Sequence, residues 1–96
     1  MSKEPAQQSA GKKPTIKLAD MPEDMQQDAQ SITLSAIEKY TNERDIAYQI
    51  KREFERKYLG NWHCVVGKQF SSYVTHEEGY FVQLSKGPLQ ILLFRC

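Results

Sequence analysis

Gly60-Asn61-Trp62-His63-Cys64-Val65-Val66-Gly67 is where the apolar spacing of this chain changes. Before it, apolar residues recur in steps of three and four; after it they alternate or run in strand-length blocks between turn residues. Gly60-Asn61 is therefore a helix stop. Working back from it, Ile46, Ala47, Ile50, Phe54 and Tyr58 form one stripe, with Lys51, Arg52, Glu55 and Arg56 on the opposite, solvated side. Asn42 is a good cap for that helix, and Glu43 and Asp45 suit the positive end of its dipole. Further back, Met25, Ala29, Ile32, Ala36, Ile37 and Tyr40 form a second stripe. Asp20 is the expected cap there, with Pro22 in the first turn and Glu23 three residues on. Thr15-Ile16-Lys17-Leu18-Ala19 alternates as a short edge strand would.

Working forward, residues 62–66 predict a strand, with a turn at Gly67-Lys68. Phe70-Ser71-Ser72-Tyr73-Val74-Thr75 predicts a second strand, 76–79 a loop and 80–85 a third strand. Lys86-Gly87-Pro88 predicts a tight turn, and Leu89 to Phe94 a last strand. One short strand, two helices and four strands make an α+β domain: two helices packed on one face of a mainly antiparallel sheet.

The chain has 96 residues, enough for one domain with a thin core, which oligomerisation commonly enlarges. Thirteen Lys plus Arg against twelve Asp plus Glu leave a net charge of +1, which weighs against a nucleic-acid binder. No apolar run approaches the roughly 18 residues of a membrane span. Residues 1–13 are polar and rich in small residues, and are expected to be a disordered tail ahead of a domain at 14–96. They contain no apolar stretch of the kind a secretory leader needs. With two cysteines, too few for a disulfide framework, the expectation is a cytosolic protein with reduced thiols.

No catalytic constellation stands out. His63 and Cys64 are adjacent on a strand and so point to opposite faces. Cys64, Cys96, His63 and His76 lack metal-ligand spacing, and the five glycines are scattered singly rather than gathered into a phosphate loop. No cofactor or metal is expected. The unusual stretch is Phe70 to Thr75. Ser71, Ser72 and Thr75 suit an edge strand better than a core strand. Such an edge either accepts a partner backbone or is simply protected by its polar side chains.

The run Trp62-His63-Cys64-Val65-Val66-Gly67, followed by Phe70-Ser71-Ser72-Tyr73-Val74-Thr75-His76-Glu77, resembles the eight-kilodalton cytoplasmic dynein light chain family. The resemblance extends through Asp20-Met21, Met25-Gln26-Gln27-Asp28-Ala29, Lys51-Arg52-Glu53-Phe54, Lys57-Tyr58 and Ile91-Leu92-Leu93-Phe94, from about residue 15 to 96. It implies a non-catalytic, strand-exchanged homodimer in which residues 70–75 cross to the partner's sheet. It also implies a hub that adds short extended segments of other proteins, often with a Thr-Gln-Thr core, as a further strand. The dynein intermediate chain is one such partner, and the implied location is cytoplasmic, on a microtubule motor complex.

By position, the resemblance implies peptide contacts at Phe70, Ser71, Ser72, Tyr73, Val74, Thr75, His76, Phe81, Gln83 and Ser85. It implies a glutamine clamp at Glu43 and Arg44, where backbone amides at a helix start meet the ligand's side-chain oxygen. It places His63, Phe70, Tyr73 and Thr75 at the dimer interface. A His63 buried there would resist proton uptake, so dimer stability would be present at neutral pH and lost on acidification. Ser71 departs from the family's usual Gly, Gln83 and Ser85 from its aromatics, Gln90 from a small apolar residue and Leu18 from a polar one. These changes motivate an alternative, a specialised axonemal or lineage-specific light chain with a more polar groove. A remote alternative is a thiol-based redox protein using Cys64 or Cys96.

Overall fold

The computed structural model describes residues 12–96. Most of the tail expected at 1–13 lies outside the described residues. Lys12 and Lys13 are exposed, Pro14 is buried, and the Lys12 carbonyl accepts a hydrogen bond from Lys86 Nζ at 2.6 Å.

The elements in chain order are β1 (Thr15–Asp20), α1 (Glu23–Lys39), α2 (Glu43–Tyr58), β2 (Trp62–Gly67), β3 (Phe81–Lys86) and β4 (Leu89–Arg95). The strands form one antiparallel sheet in the order β1-β3-β4-β2, so β1 and β2 are its edges. This is the expected α+β architecture. None of the helices among the described residues is long and apolar enough to cross a membrane.

The helix stripes explain the layering. Met25, Ala29 and Ala36 of α1 and Ile46, Ile50 and Phe54 of α2 are buried in one cluster with Val82, Leu84, Ile91 and Leu93 of the central strands. Phe54 meets Trp62 edge-on, ring centroids 4.9 Å apart, and Trp62 meets Tyr80 likewise at 5.9 Å. Trp62 Nε1 donates to the Leu59 carbonyl at 2.8 Å, so the indole's only polar group is satisfied in the core. Burying each such side chain contributes about 1.5–3 kcal/mol. Thr33, outside the expected stripe, is fully buried in α1, and its hydroxyl has no partner.

The helix starts differ. Asn42 caps α2 as expected, its side chain accepting from the Arg44 and Asp45 amides at 2.8 and 3.3 Å. Asp20 does not cap α1. It ends β1 opposite Phe81, and its carboxylate accepts the Gly79 N–H at 3.0 Å. Pro22 stands at the helix start with no side-chain cap. Pro22 offers no side-chain acceptor, and sheet pairing claims Asp20 first.

A second departure concerns residues 70–75, which form no strand within the chain. A two-residue hairpin from β2 back along itself would need left-handed backbone at Lys68-Gln69. Among the described residues positive φ occurs only at Leu59, Gly60, Gly79 and Gly87. Lys68-Gln69 makes a bend, not a hairpin turn, and the segment leaves the sheet.

Candidate functional site

Alternation along β2, β3 and β4 turns Val65, Gln83 and Leu92 to the face opposite the helices, and a register irregularity between Ile16 and Leu18 in β1 brings Leu18 to the same face, opposite Gln83. Asp20, Phe81, Phe94 and His63 form the next row on that face. Leu18 and Val65 are exposed there, whereas Leu92 is buried outside the helix-side cluster. His63 is exposed and stacks on Phe94, centroids 5.3 Å apart. Cys64, its neighbour, packs against the core instead. Burial pushes the Cys64 thiol up, the opposite of the depressed value a nucleophilic thiol needs.

Residues 72–76 run beside one end of this face and border an open groove of about 410 Å³. It is lined by Leu18, Ala19, Asp20, Ser72, Tyr73, Val74, His76, Phe81 and Gln83. His76 lies flat on Phe81, centroids 4.7 Å apart, and its Nδ1 sits 2.9 Å from the Glu77 carbonyl. Tyr73 is 99% exposed. An aromatic side chain with no covering contact, next to a groove, is an unusual way to leave apolar surface.

Glu43 and Arg44 are elsewhere. With Ile37, Thr41, Asn42, Lys68, Lys86, Pro88 and Leu89 they line a separate concavity at the start of α2. The expected site residues thus divide. Ser72, Tyr73, Val74, His76, Phe81 and Gln83 share one groove, and Glu43 and Arg44 a second. Phe70, Ser71, Thr75 and Ser85 line neither. The Arg44 amide expected to meet a ligand is already held by Asn42 at 2.8 Å. Incoming glutamine would have to share or displace that cap, while the Glu43 carboxylate offers an acceptor.

A profile of the family described as dynein light chain type 1 matches residues 13–96. The chain belongs to the dynein light chain family. Solved structures with the same fold include the dynein light chain-like domain of the Fasciola hepatica calcium binding protein FhCaBP2. Its native crystal structure superposes with a TM-score of 0.75 at 20% identity, covering 91% of this chain and 95% of that one. Its mercury derivative gives 0.71 at 19% identity, covering 86% and 91%. At such identity the likeness speaks for the fold.

Two groups in this dynein light chain fold were not legible from sequence. Asp20, by spacing a helix cap, instead borders the groove, tied to the Gly79 amide. Arg95 carries no motif. Its Nε and Nη2 reach Glu77 Oε1 at 2.9 and 2.8 Å, and its guanidinium carbon lies 3.9 Å from the centroid of the Tyr80 ring. The Glu77 carboxylate raises the Arg95 guanidinium further above its ordinary value. The usable sequence signal was the strand ending beside a loop of mixed charge, but nothing in the spacing pairs residues 18 positions apart.

Proposed function

We propose that this dynein light chain is a non-catalytic dimerisation hub whose ligand groove is completed by a second copy of the chain. In this reading 14–96 is the folding unit. Residues 70–75 of each copy add to the free edge of the other's β2. A short extended segment of a partner then adds to the outer edge of 70–75. The observation that carries it is the split site. One chain holds the 72–76 wall in one groove and the Glu43–Arg44 clamp in another, and its 70–75 segment makes no ladder with its own sheet. Exchange would bring a wall and a clamp together and cover Tyr73, Val65 and His63. His63, Phe70, Tyr73 and Thr75 are the expected interface residues.

Main-chain pairing along 70–75 supplies affinity and the alternating pockets supply selectivity. Two ligands on one dimer gain avidity through effective concentration. The expected partners are disordered segments with a Thr-Gln-Thr core or a variant, the dynein intermediate chain among them. The expected setting is the cytoplasmic microtubule motor complex.

Calorimetric titration with a Thr-Gln-Thr peptide tests this directly, alongside sedimentation. One peptide per subunit on a dimer is the expected result; a chain that stays monomeric at high concentration, or a dimer that binds no extended peptide, refutes it. Ser72→Pro should weaken peptide addition about tenfold or more, because proline removes a donor from the edge. Unchanged affinity in a folded Ser72→Pro dimer counts against strand addition.

The groove wall also supports a narrower reading. Gln83 lines the groove where the resemblance leads one to expect an aromatic. On this reading the chain is a specialised light chain, its ligands carrying polar side chains toward Gln83, Ser85 and Gln90. Replacing Gln83 and Ser85 by Tyr should then raise affinity for a Thr-Gln-Thr peptide.

A further inference from the structure

Residues 70–75 leave the sheet between two junctions of opposite character. In front, Lys68-Gln69 makes a bend and supplies no left-handed residue. Behind, the 76–80 loop is fastened to the end of β4. The Glu77 N–H donates to the Arg95 carbonyl at 2.8 Å, and the Arg95 N–H donates to the Tyr80 carbonyl at 3.0 Å. Across this backbone pair lies the Arg95 side chain, bonded through two nitrogens to one Glu77 oxygen and stacked on the Tyr80 ring. It is 23% exposed, against 47% for Glu77. Gly60 makes the room: a Cβ there would stand 2.6 Å from Arg95 Cδ. His76, stacked on Phe81 at the groove, is the first residue of the fastened loop, next to Glu77.

We propose that Arg95 and Glu77 form a clasp that fixes the return of the exchange segment to its own sheet, making both positioning residues for strand exchange and for the groove wall at His76. This rests on the strand-exchange reading. The physical reason is entropic. A loop already ordered by its own chain need not be ordered when 70–75 docks on a partner, so the clasp lowers the cost of association. The contact is charge-assisted, two-pronged and stacked, and lysine cannot reproduce its flat fork.

The test compares the full chain with Arg95→Gln, Glu77→Gln, Arg95→Lys and the Glu77→Gln/Arg95→Gln double variant. Three readouts are taken: the dimer dissociation constant by sedimentation, the affinity for a Thr-Gln-Thr peptide, and amide exchange across 70–80. Each Gln variant should dimerise about three- to tenfold more weakly, with faster exchange at Glu77 and the segment before it. The double variant should be no weaker than either single one, since both remove the same contact. Arg95→Lys should fall between. Raising ionic strength should weaken the parent dimer toward the Arg95→Gln level and leave that variant nearly unmoved. Glu77 is exposed enough that Glu77→Gln keeps the fold even where an Arg95 change does not. A dimeric parent whose constant and exchange do not move in folded Glu77→Gln overturns the clasp alone. A parent that is monomeric at all concentrations overturns the exchange reading and the clasp with it.

Discussion

Two junctions of equal length sit at either end of the β-rich half. Gly87-Pro88 joins β3 to β4 and folds the chain straight back, with Lys86 opposite Leu89 and Gly87 at φ 57°. Lys68-Gln69 follows β2 and does not fold back; neither residue is left-handed, and 70–75 joins no strand ladder among the described residues. Tight hairpins need backbone that L-residues with a side chain adopt only at a cost of about 1–2 kcal/mol each. Glycine removes that cost at the first junction. At the second, Lys and Gln keep it. Turn chemistry at two residues therefore separates a strand that completes its own sheet from a segment that leaves it.

The largest effect should come from erasing this difference. Lys68→Asn with Gln69→Gly supplies the preferred residues of a primed turn. The segment could then pair with its own β2, from Gly67 opposite Phe70 to Trp62 opposite Thr75. Relief of the turn penalty is worth about 2–3 kcal/mol, so the proposed exchanged dimer should weaken roughly a hundredfold and become monomer at micromolar concentration. Sedimentation reads the outcome directly. A double variant as dimeric as the parent would show that something other than the turn sends the segment away.

The converse change is made at the first junction. Gly87→Val forces a β-branched residue to φ 57°. A Cβ there meets nothing within 4 Å, so the penalty is conformational and not a clash. The expected loss is about 1–2 kcal/mol of stability in urea unfolding. Loss of dimer with no loss of stability would mean that the β3–β4 turn, too, serves the interface.

How far the sequence carries depends on which interactions decide each piece. The α2 stripe, its Asn42 cap and strands β2, β3 and β4 follow local periods and turn residues, and all four strands' bounds differ from expectation by a residue or so, whereas β1 breaks its expected alternation between Ile16 and Leu18. Asp20 shows where local rules fail. Its spacing to Glu23 favours a capping box, but β1 pairs through Asp20 to Phe81, and the carboxylate turns to Gly79, 59 residues away. Residues 70–75 have a strand's composition but pair with no strand among the described residues, because pairing is not a property of one segment. Of the candidate site, the 72–76 wall and Gln83 are found together, whereas Glu43 and Arg44 border another concavity. The Arg95–Glu77 contact was invisible because it joins two elements that only the folded register brings together.

The smallest effect sharpens the comparison by touching neither junction. Asp28 of α1 accepts a hydrogen bond from the Tyr58 hydroxyl and lies 3.0 Å from Lys57 Nζ, both at the end of α2. The Tyr58 bond, then Lys57, holds the Asp28 carboxyl below the usual carboxylate value, while burial and then the same carboxylate hold the Tyr58 phenol up. A depressed folded-state value means the folded chain resists protonation of Asp28 more than the unfolded chain does. The stabilisation is therefore present above the ordinary carboxylate value and is lost as pH falls through the lowered one. Asp28→Asn should cost about 0.5 kcal/mol at neutral pH, given that Asp28 is partly solvated. Its unfolding curve should converge on the parent's in acid. Because this tie joins the two helices behind the sheet, the Lys68→Asn/Gln69→Gly monomer should show the same acid limb as the parent. A limb that moved with oligomeric state would mean that strand exchange reaches through the sheet to the helix pair, and that scaffold and exchange segment are not the separate units the two turns make them.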